Sequence, residues 1–322
     1  MRSSPRGCDL TVIVVAWNVK ELLDECFAAL RSSDDALEKQ VILVDNGSVD
    51  GTAEFVAERY PEVELVPSPV NLGFIRANNL AYARARGEYI LMLNSDAFVS
   101  PGAIRQTVQF MRHTPDAGVV GTRLIGRDGV LQPSARQFPT PFKLFLAGLG
   151  LDGRVPFVRP LDDLRWDHRS VRRCDWVVGC YLLARRTAIE KTGFFLREDF
   201  FMYNDDVDLC KRIARAGYRT YFYPVDVIHV GGANMEKMHR DQRARALMQE
   251  FQIESGMIYF RKNHGLITVL ASAAGLLLLD LVRFAKRLLL LRFEEIARDV
   301  IPHLTMVVRV AVRTRYGSRR IH

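Results

Sequence analysis

The sequence predicts an α/β fold: a mostly parallel sheet with helices on both faces, followed by an α-helical C-terminal region. Three observations predict it. Over the first 120 residues, short β-branched runs alternate with stretches of helical spacing; the early runs end in polar residues; and beyond residue 260 aliphatic runs interleave with arginines. Strands alternating with helices imply parallel pairing, right-handed crossovers and two helical layers. A chain of 322 residues, 48% apolar and 25% charged, can bury a full-sized core and does not read as disordered.

Residues 10–16 form a continuous apolar run ending in Trp17-Asn18. Arg2 and Arg6 precede it, but the run is short and reads as a buried strand rather than a signal peptide. With Asn18 as N-cap, Leu22, Leu23, Cys26, Phe27 and Leu30 recur at helical spacing, which puts Cys26 on the apolar face. Strands follow at 41–44, 63–66 and 89–93, with a helix opening at Asp50 and another over 75–86. Ser100-Pro101 starts a further helix, since proline is tolerated at the first helical position. Arg127-Asp128-Gly129 reads as a hairpin turn, and 133–170 as loop-rich surface near the active site. Residues 175–185 read as a strand and 204–216 as a helix, closed by Gly217 in a left-handed position. Residues 218–223 return to strand.

The net charge is +8, and its distribution decides what it means. Residues 261–322 hold 12 Lys and Arg against 4 Asp and Glu, whereas the remaining residues hold 33 of each sign. The globular part therefore has no electrostatic claim on nucleic acid, and the basic, apolar tail reads as a binder of an anionic membrane surface. The uncharged run 266–279 is shorter than the roughly 20 residues of a spanning helix, so it fits an interfacial or re-entrant segment. The alternative is a helical subdomain packed on the catalytic domain or on a second subunit of a homo-oligomer. The domain reading is 1–260 for the catalytic domain and 261–322 for the tail. Five scattered cysteines form no metal-type pair and suggest reduced thiols in the cytosol.

In an open parallel sheet the ligand sits beyond the carboxyl ends of the strands. Asp45 follows a buried strand and can accept from a pyrimidine N–H, with Trp17 offering an aromatic face; the plainer reading makes Asp45 a turn residue. Asn94-Ser95-Asp96 ends another strand with one carboxylate suited to Mg²⁺ or Mn²⁺ against a diphosphate. Asp205 and Asp206 open a helix, where the macrodipole favours their ionised form and a carboxylate can take a proton from an acceptor hydroxyl. Helix capping without chemistry is the alternative. Asp208 pairs with Arg212 at i,i+4. His229 is either a metal or diphosphate contact or a structural histidine.

VIVVAWN, VILVDNGSVDGT, NLGFIRANN, GEYILMLNSD, DWVVGCYLLARR and FFMYNDDVDLCKRIARAGY, then His229 and Gly231, stand in one order between Leu10 and Gly232. Together they resemble the family 2 inverting glycosyltransferases of GT-A fold, and especially their bacterial rhamnosyltransferase-like branch. The resemblance implies that Ala16, Trp17 and Asp45 hold the nucleotide base, and that Asn71, Gly73 and Arg76 approach the nucleotide sugar. It implies a metal at Asp96 with Asn94 alongside and His229 assisting, Asp206 as catalytic base with Asp205 as its acidic neighbour, and Trp176 and Gly179 lining the sugar and acceptor pocket. Ala16 and Trp17 stand where Thr and Tyr are usual, Asn94 replaces an acid and Asp205 a Glu; neither the base nor the metal carboxylate is lost. The implied reaction is hexosyl transfer with inversion from a nucleotide-diphosphate sugar, dTDP-rhamnose by resemblance alone, to a lipid-linked glycan or polysaccharide of the cell envelope. The implied location is the cytoplasmic side of the cell membrane, peripheral or monotopic. A sugar-nucleotide pyrophosphorylase would carry a Gly-rich phosphate loop where Trp17-Asn18-Val19-Lys20 stands, and an inactive sugar-binding module would have lost Asp96 or Asp206.

Overall fold

The computed structural model describes residues 7–33, 36–231 and 242–321. Arg2, Arg6 and Gly232 lie outside the described residues. The chain forms two compact units: Met1–Arg136, Leu164–Glu198 and Asp205–Lys237 make the first, and Gln137–Asp163, Asp199–Asn204 and Met238–His322 the second. The sequence boundary at 260 falls within a helix of the second unit, Gln242–His264.

The first unit begins with β1 (Cys8–Ala16), α1 (Lys20–Ser32), β2 (Lys39–Asp45), α2 (Thr52–Arg59), β3 (Glu64–Pro67), α3 (Phe74–Tyr82) and β4 (Gly87–Asn94). Leu10, Val12, Ile13 and Val14 are fully buried, as a central strand covered on both faces requires. β1 pairs in parallel with β2 on one side and β4 on the other, and β3 joins β2. The strand order thus reverses at β1, the place where open α/β sheets bind ligands. Asn18 is not the N-cap of α1. It takes a left-handed backbone (φ 54°), and its side chain accepts from Val49 N–H at 2.8 Å, tying the β1 loop to the β2 loop instead.

The sheet continues through β5 (Ala97–Val99), β6 (Ala117–Ile125), β7 (Leu131–Gln132), β9 (Arg172–Cys174), β11 (Tyr181–Arg185) and β12 (Arg219–His229), with α4 (Ala103–His113) between β5 and β6. The path runs β3-β2-β1-β4-β11-β6-β12-β5, with β7 on β6 and β9 on β12. β11 runs against both β4 and β6, so this half of the sheet is mixed. The 127–129 turn does make a hairpin, Leu124 facing Gln132. The segment expected as one strand over 175–185 is broken: β10 (Trp176–Val177) pairs with β8 (Ala135–Arg136), and the chain turns at Gly179 before β11. After α6 (Arg186–Glu190), α7 (Asp205–Arg215) carries the two acids, and Asp208 meets Arg212 at 2.7 Å as its spacing predicts.

In the second unit, part of the expected loop region is α5 (Pro141–Gly148), capped by the Thr140 hydroxyl accepting from Lys143 N–H. Its sequence is apolar almost all round, so no period marks it. α8 (Gln242–His264), α9 (Leu266–Leu289) and α10 (Ile301–Arg313) follow, and α9 packs against α5, α8 and α10. The 266–279 run is therefore only the first part of a 24-residue helix, long and apolar enough to cross a membrane by length and composition. Asp280 does not end it, because its buried carboxylate is paired with His303 at 2.7 Å. On α9, Val269, Ser272, Leu279 and Asp280 are buried, while Ile267, Leu270, Leu278, Leu281, Val282 and Leu289 are exposed and recur at helical spacing.

Candidate active site

All the acids singled out from the sequence belong to the first unit and gather at the carboxyl edge of its sheet. Ala16 and Asp45 end β1 and β2 as register partners, and Asn94 ends β4 opposite Val15. Asp45 is buried, and its Oδ1 accepts from Ser48 N–H at 3.2 Å, so turn geometry and cleft position coincide. Trp17 leaves its ring about half exposed beside it (47%). Asn18 N–H donates to Ser48 Oγ, and Lys20 N–H to the Asp50 carboxylate, which fixes the loop carrying Trp17.

Asp96 lies between β4 and β5. β5 pairs antiparallel with the end of β12, Ala97 facing His229, and Val230 N–H donates to Asp96 O. His229 Nε2 consequently stands 3.5 Å from Asp96 Oδ1. Gln132 Nε2 donates to His229 O at 2.9 Å, which turns its Oε1 towards His229 Nδ1 at 2.7 Å. Nδ1 must then carry a proton, so that in the neutral tautomer the Nε2 lone pair faces the carboxylate. Two electron-rich atoms so disposed suit a cation between them, and hard divalent ions take one or two carboxylates plus phosphate oxygens. Among the described residues no group of three or more His, Cys, Asp or Glu could hold a metal.

Asp206 accepts from Gly179 N–H (3.1 Å) and from Val207 N–H (2.8 Å). Cys180, next to Gly179, gives its carbonyl to Asn94 N–H at 3.0 Å. A run of hydrogen bonds therefore links the Asp206 carboxylate through the Gly179 and Cys180 main chain to Asn94, two residues from Asp96. Gly179 contributes its amide; a methyl group there would meet only ordinary contacts, Met92 Cε at 3.6 Å first. Burial pushes the Asp205 carboxyl up to about 8, reinforced by the charge of Asp206. Burial also raises Asp206, opposed by the Gly179 and Val207 amides and by the Arg136 guanidinium. The helix macrodipole expected to favour ionisation is outweighed by desolvation, and the hydrogen bonds make Asp206 the member of the pair that carries the charge.

The other candidates divide. Asn71 Oδ1 accepts from Asn46 Nδ2 and Gly73 N–H, and Gly73 (φ 78°) precedes α3, so these two shape the loop beside β2. Arg76 instead meets Glu198 at 3.5 Å, half exposed. Trp176 is buried, with the Arg136 guanidinium 4.9 Å from its ring centre.

Residues 11–169 match the model of Glycosyl transferase family 2. The N-acetylglucosaminyl-diphospho-decaprenol L-rhamnosyltransferase of Mycobacterium tuberculosis is 33% identical over 234 residues, 68% of this chain and 75% of that protein. The chain belongs to glycosyl transferase family 2. Rhamnosyltransferase WbbL of Escherichia coli is 23% identical over 226 residues, 66% of this chain and 80% of its own. Among solved structures, the mannosyltransferase PcManGT from Pyrobaculum calidifontis, in complex with GDP-Man and Mn²⁺, aligns with a TM-score of 0.56 at 18% identity, covering 97% of this chain and 88% of that one. Staphylococcus aureus TarS 1–349 aligns at 0.51 and 14% identity, covering 95% and 91%. The fold is thus the GT-A fold, and the rhamnosyltransferase-like resemblance of the family 2 blocks holds.

Gln132, Arg136, Asn46 and Gly47 adjoin the candidate residues and escape a reading by residue type. Gln132 could have been found from the hairpin, whose register sets it beside the end of β12. Gly47 takes φ 79°, and a Cβ there would lie 2.8 Å from Val70 C, so the Asp45–Ser48 turn admits only glycine.

Proposed function

We propose that this family 2 enzyme is an inverting, metal-dependent glycosyltransferase that moves a sugar from a nucleotide diphosphate to a hydroxyl of a lipid-linked or polysaccharide acceptor in cell-envelope glycan synthesis. The observation that carries this reading is the pairing of a half-buried, amide-held Asp206 with an Asp96–His229 pair along one sheet edge. Asp45 and the exposed ring of Trp17 bind the base, and Asn71, Gly73 and Arg76 approach the nucleotide sugar. Trp176 and Gly179 line the sugar and acceptor pocket. Mg²⁺ or Mn²⁺ held by Asp96 and His229, with Asn94 beside them, would offset the charge on the leaving nucleoside diphosphate. Asp206 takes the acceptor hydroxyl's proton as that oxygen attacks the anomeric carbon from the face opposite the diphosphate, so no covalent enzyme intermediate is needed. Its raised pKa makes it a stronger base than an ordinary carboxylate. Asp205 keeps its proton near neutrality, which spares Asp206 a second negative charge alongside.

Rhamnose is the sugar named for the mycobacterial and Escherichia coli relatives, and N-acetylglucosaminyl-diphospho-decaprenol the acceptor named for the first; both support dTDP-rhamnose and a lipid-linked acceptor here. Such an acceptor suits the open apolar row of α9, which rests on an anionic membrane at its cytoplasmic side. The inner side of α9 packs on its own unit, and that favours lying on the membrane over crossing it.

The test is nucleotide release with Mg²⁺ or Mn²⁺ across a panel of nucleotide sugars, with a lipid-linked glycan extract as acceptor. Release with one donor, abolished by chelation and lowered by about 10²–10⁴-fold in Asp206→Asn with donor binding retained, is expected. A panel in which no donor binds or reacts would instead make the chain a non-enzymatic module.

A further inference from the structure

The second unit carries an open cleft of about 650 Å³ lined by α8, α9 and the segment 298–306. Its volume lies in the range of small-molecule sites. Arg245, Arg283, Arg287 and Arg298 line it against two carboxylates, Asp280 and Asp299, with His303 beside them. The two acids have structural partners. Buried Asp280 holds His303 Nδ1 at 2.7 Å and Arg283 at 3.3 Å, and Asp299 meets Arg298 at 3.0 Å and Arg287 at 3.2 Å. Arg287 is further anchored on Glu295 O at 2.9 Å. Arg245 makes no ion pair with the described residues. Arg287 also pairs with the Glu295 carboxylate at 3.3 Å, so four guanidiniums face three carboxylates; Arg245 supplies the excess positive charge of the wall, and the planar guanidinium fork matches phosphate oxygens.

The same helix that sends Arg283 and Arg287 to this wall exposes its apolar row on the other side. A ligand with an anionic phosphate head and an aliphatic tail satisfies both features at once; a soluble sugar phosphate satisfies only one. We propose that this cleft binds the phosphate group of a lipid, either a phospholipid headgroup or the diphosphate of a prenyl-linked glycan. This inference rests on the reading that the second unit lies on a membrane. No role in the chemistry at Asp206 is needed for it.

The experiment uses the full chain with phosphatidylcholine vesicles, alone or doped with phosphatidic acid or with a polyprenyl diphosphate; the two dopants distinguish the sources. In parallel, inorganic pyrophosphate is titrated calorimetrically in the presence of chelator. Arg245→Gln/Arg283→Gln is compared with Arg313→Gln/Arg315→Gln, which removes the same charge elsewhere in the unit. Arg245→Gln alone serves as the variant that disturbs no internal ion pair. The cleft pair should lose about tenfold or more in binding to the doped vesicles and lose pyrophosphate heat, whereas the control pair should lose less than about threefold. Equal losses in the two pairs, or pyrophosphate heat unchanged in the cleft variants, would overturn the proposal. Pyrophosphate binding that depends on Arg245, without any vesicle binding by the wild type, would retain the phosphate site and remove the membrane reading instead.

Discussion

At the scale of single residues, Asp205 and Asp206 share a helix turn but not an environment. Asp206 has two amide donors, while Asp205 is held up to about 8 by burial and by its neighbour's charge. An acid whose folded pKa lies above its unfolded value stabilises the fold fully below the unfolded pKa. That contribution is lost as the pH rises towards the folded one. Asp205→Asn abolishes this titration without changing shape, so its melting temperature should rise relative to wild type as the pH goes from about 5 to about 8, by roughly 5 °C at the upper end. Calorimetric scans of both proteins across that range would check it; a constant difference would mean that Asp205 ionises freely in the folded state.

At the scale of elements, most of the first unit was legible because buried parallel strands announce themselves as apolar runs and each ends beside polar residues of the candidate site. β1, β2 and β4 carry Ala16, Asp45 and Asn94 to one edge for that reason. Strand periodicity could not locate the break at Gly179, because VVGCYLLAR is equally apolar on both sides of it. Nor could it find α5, which has no polar face, or the cross-loop use of Asn18, which depends on a partner 31 residues away. The 127–129 hairpin was legible from its turn residues, but its consequence, the delivery of Gln132 to His229, was not. Gln132→Leu should leave the fold intact and weaken Mn²⁺ binding in the presence of nucleoside diphosphate by about 10–100-fold, read by electron paramagnetic resonance of the free ion. Unchanged affinity would make the Gln132–His229 contact purely structural.

At the scale of the whole molecule, the charge excess and the exposed apolar row fall in the same stretch of chain. Truncation at 260 would cut α8 near its end and uncover buried Met257, Ile258 and Tyr259, so point substitution is the cleaner test of membrane contact. Ile267→Ser/Leu278→Ser/Leu281→Ser alters side chains that are all at least 48% exposed, and should preserve the melting transition. Its partition onto anionic vesicles, measured by flotation, should fall by about tenfold or more, since each side chain forfeits apolar burial in the interface. Unaltered partition would assign the tail to protein packing.

The bonds from Asp206 through Gly179 and Cys180 to Asn94 have a further consequence. They make the Gly179–Cys180 main chain that leads into β11 a ruler between the Asp206 carboxylate and the strand end that precedes Asp96. Surrounding loops can then diverge while the spacing between Asp206 and the end of β4 stays constant. Slow deuterium exchange at the Asn94 and Gly179 amides would be the signature of that calibration.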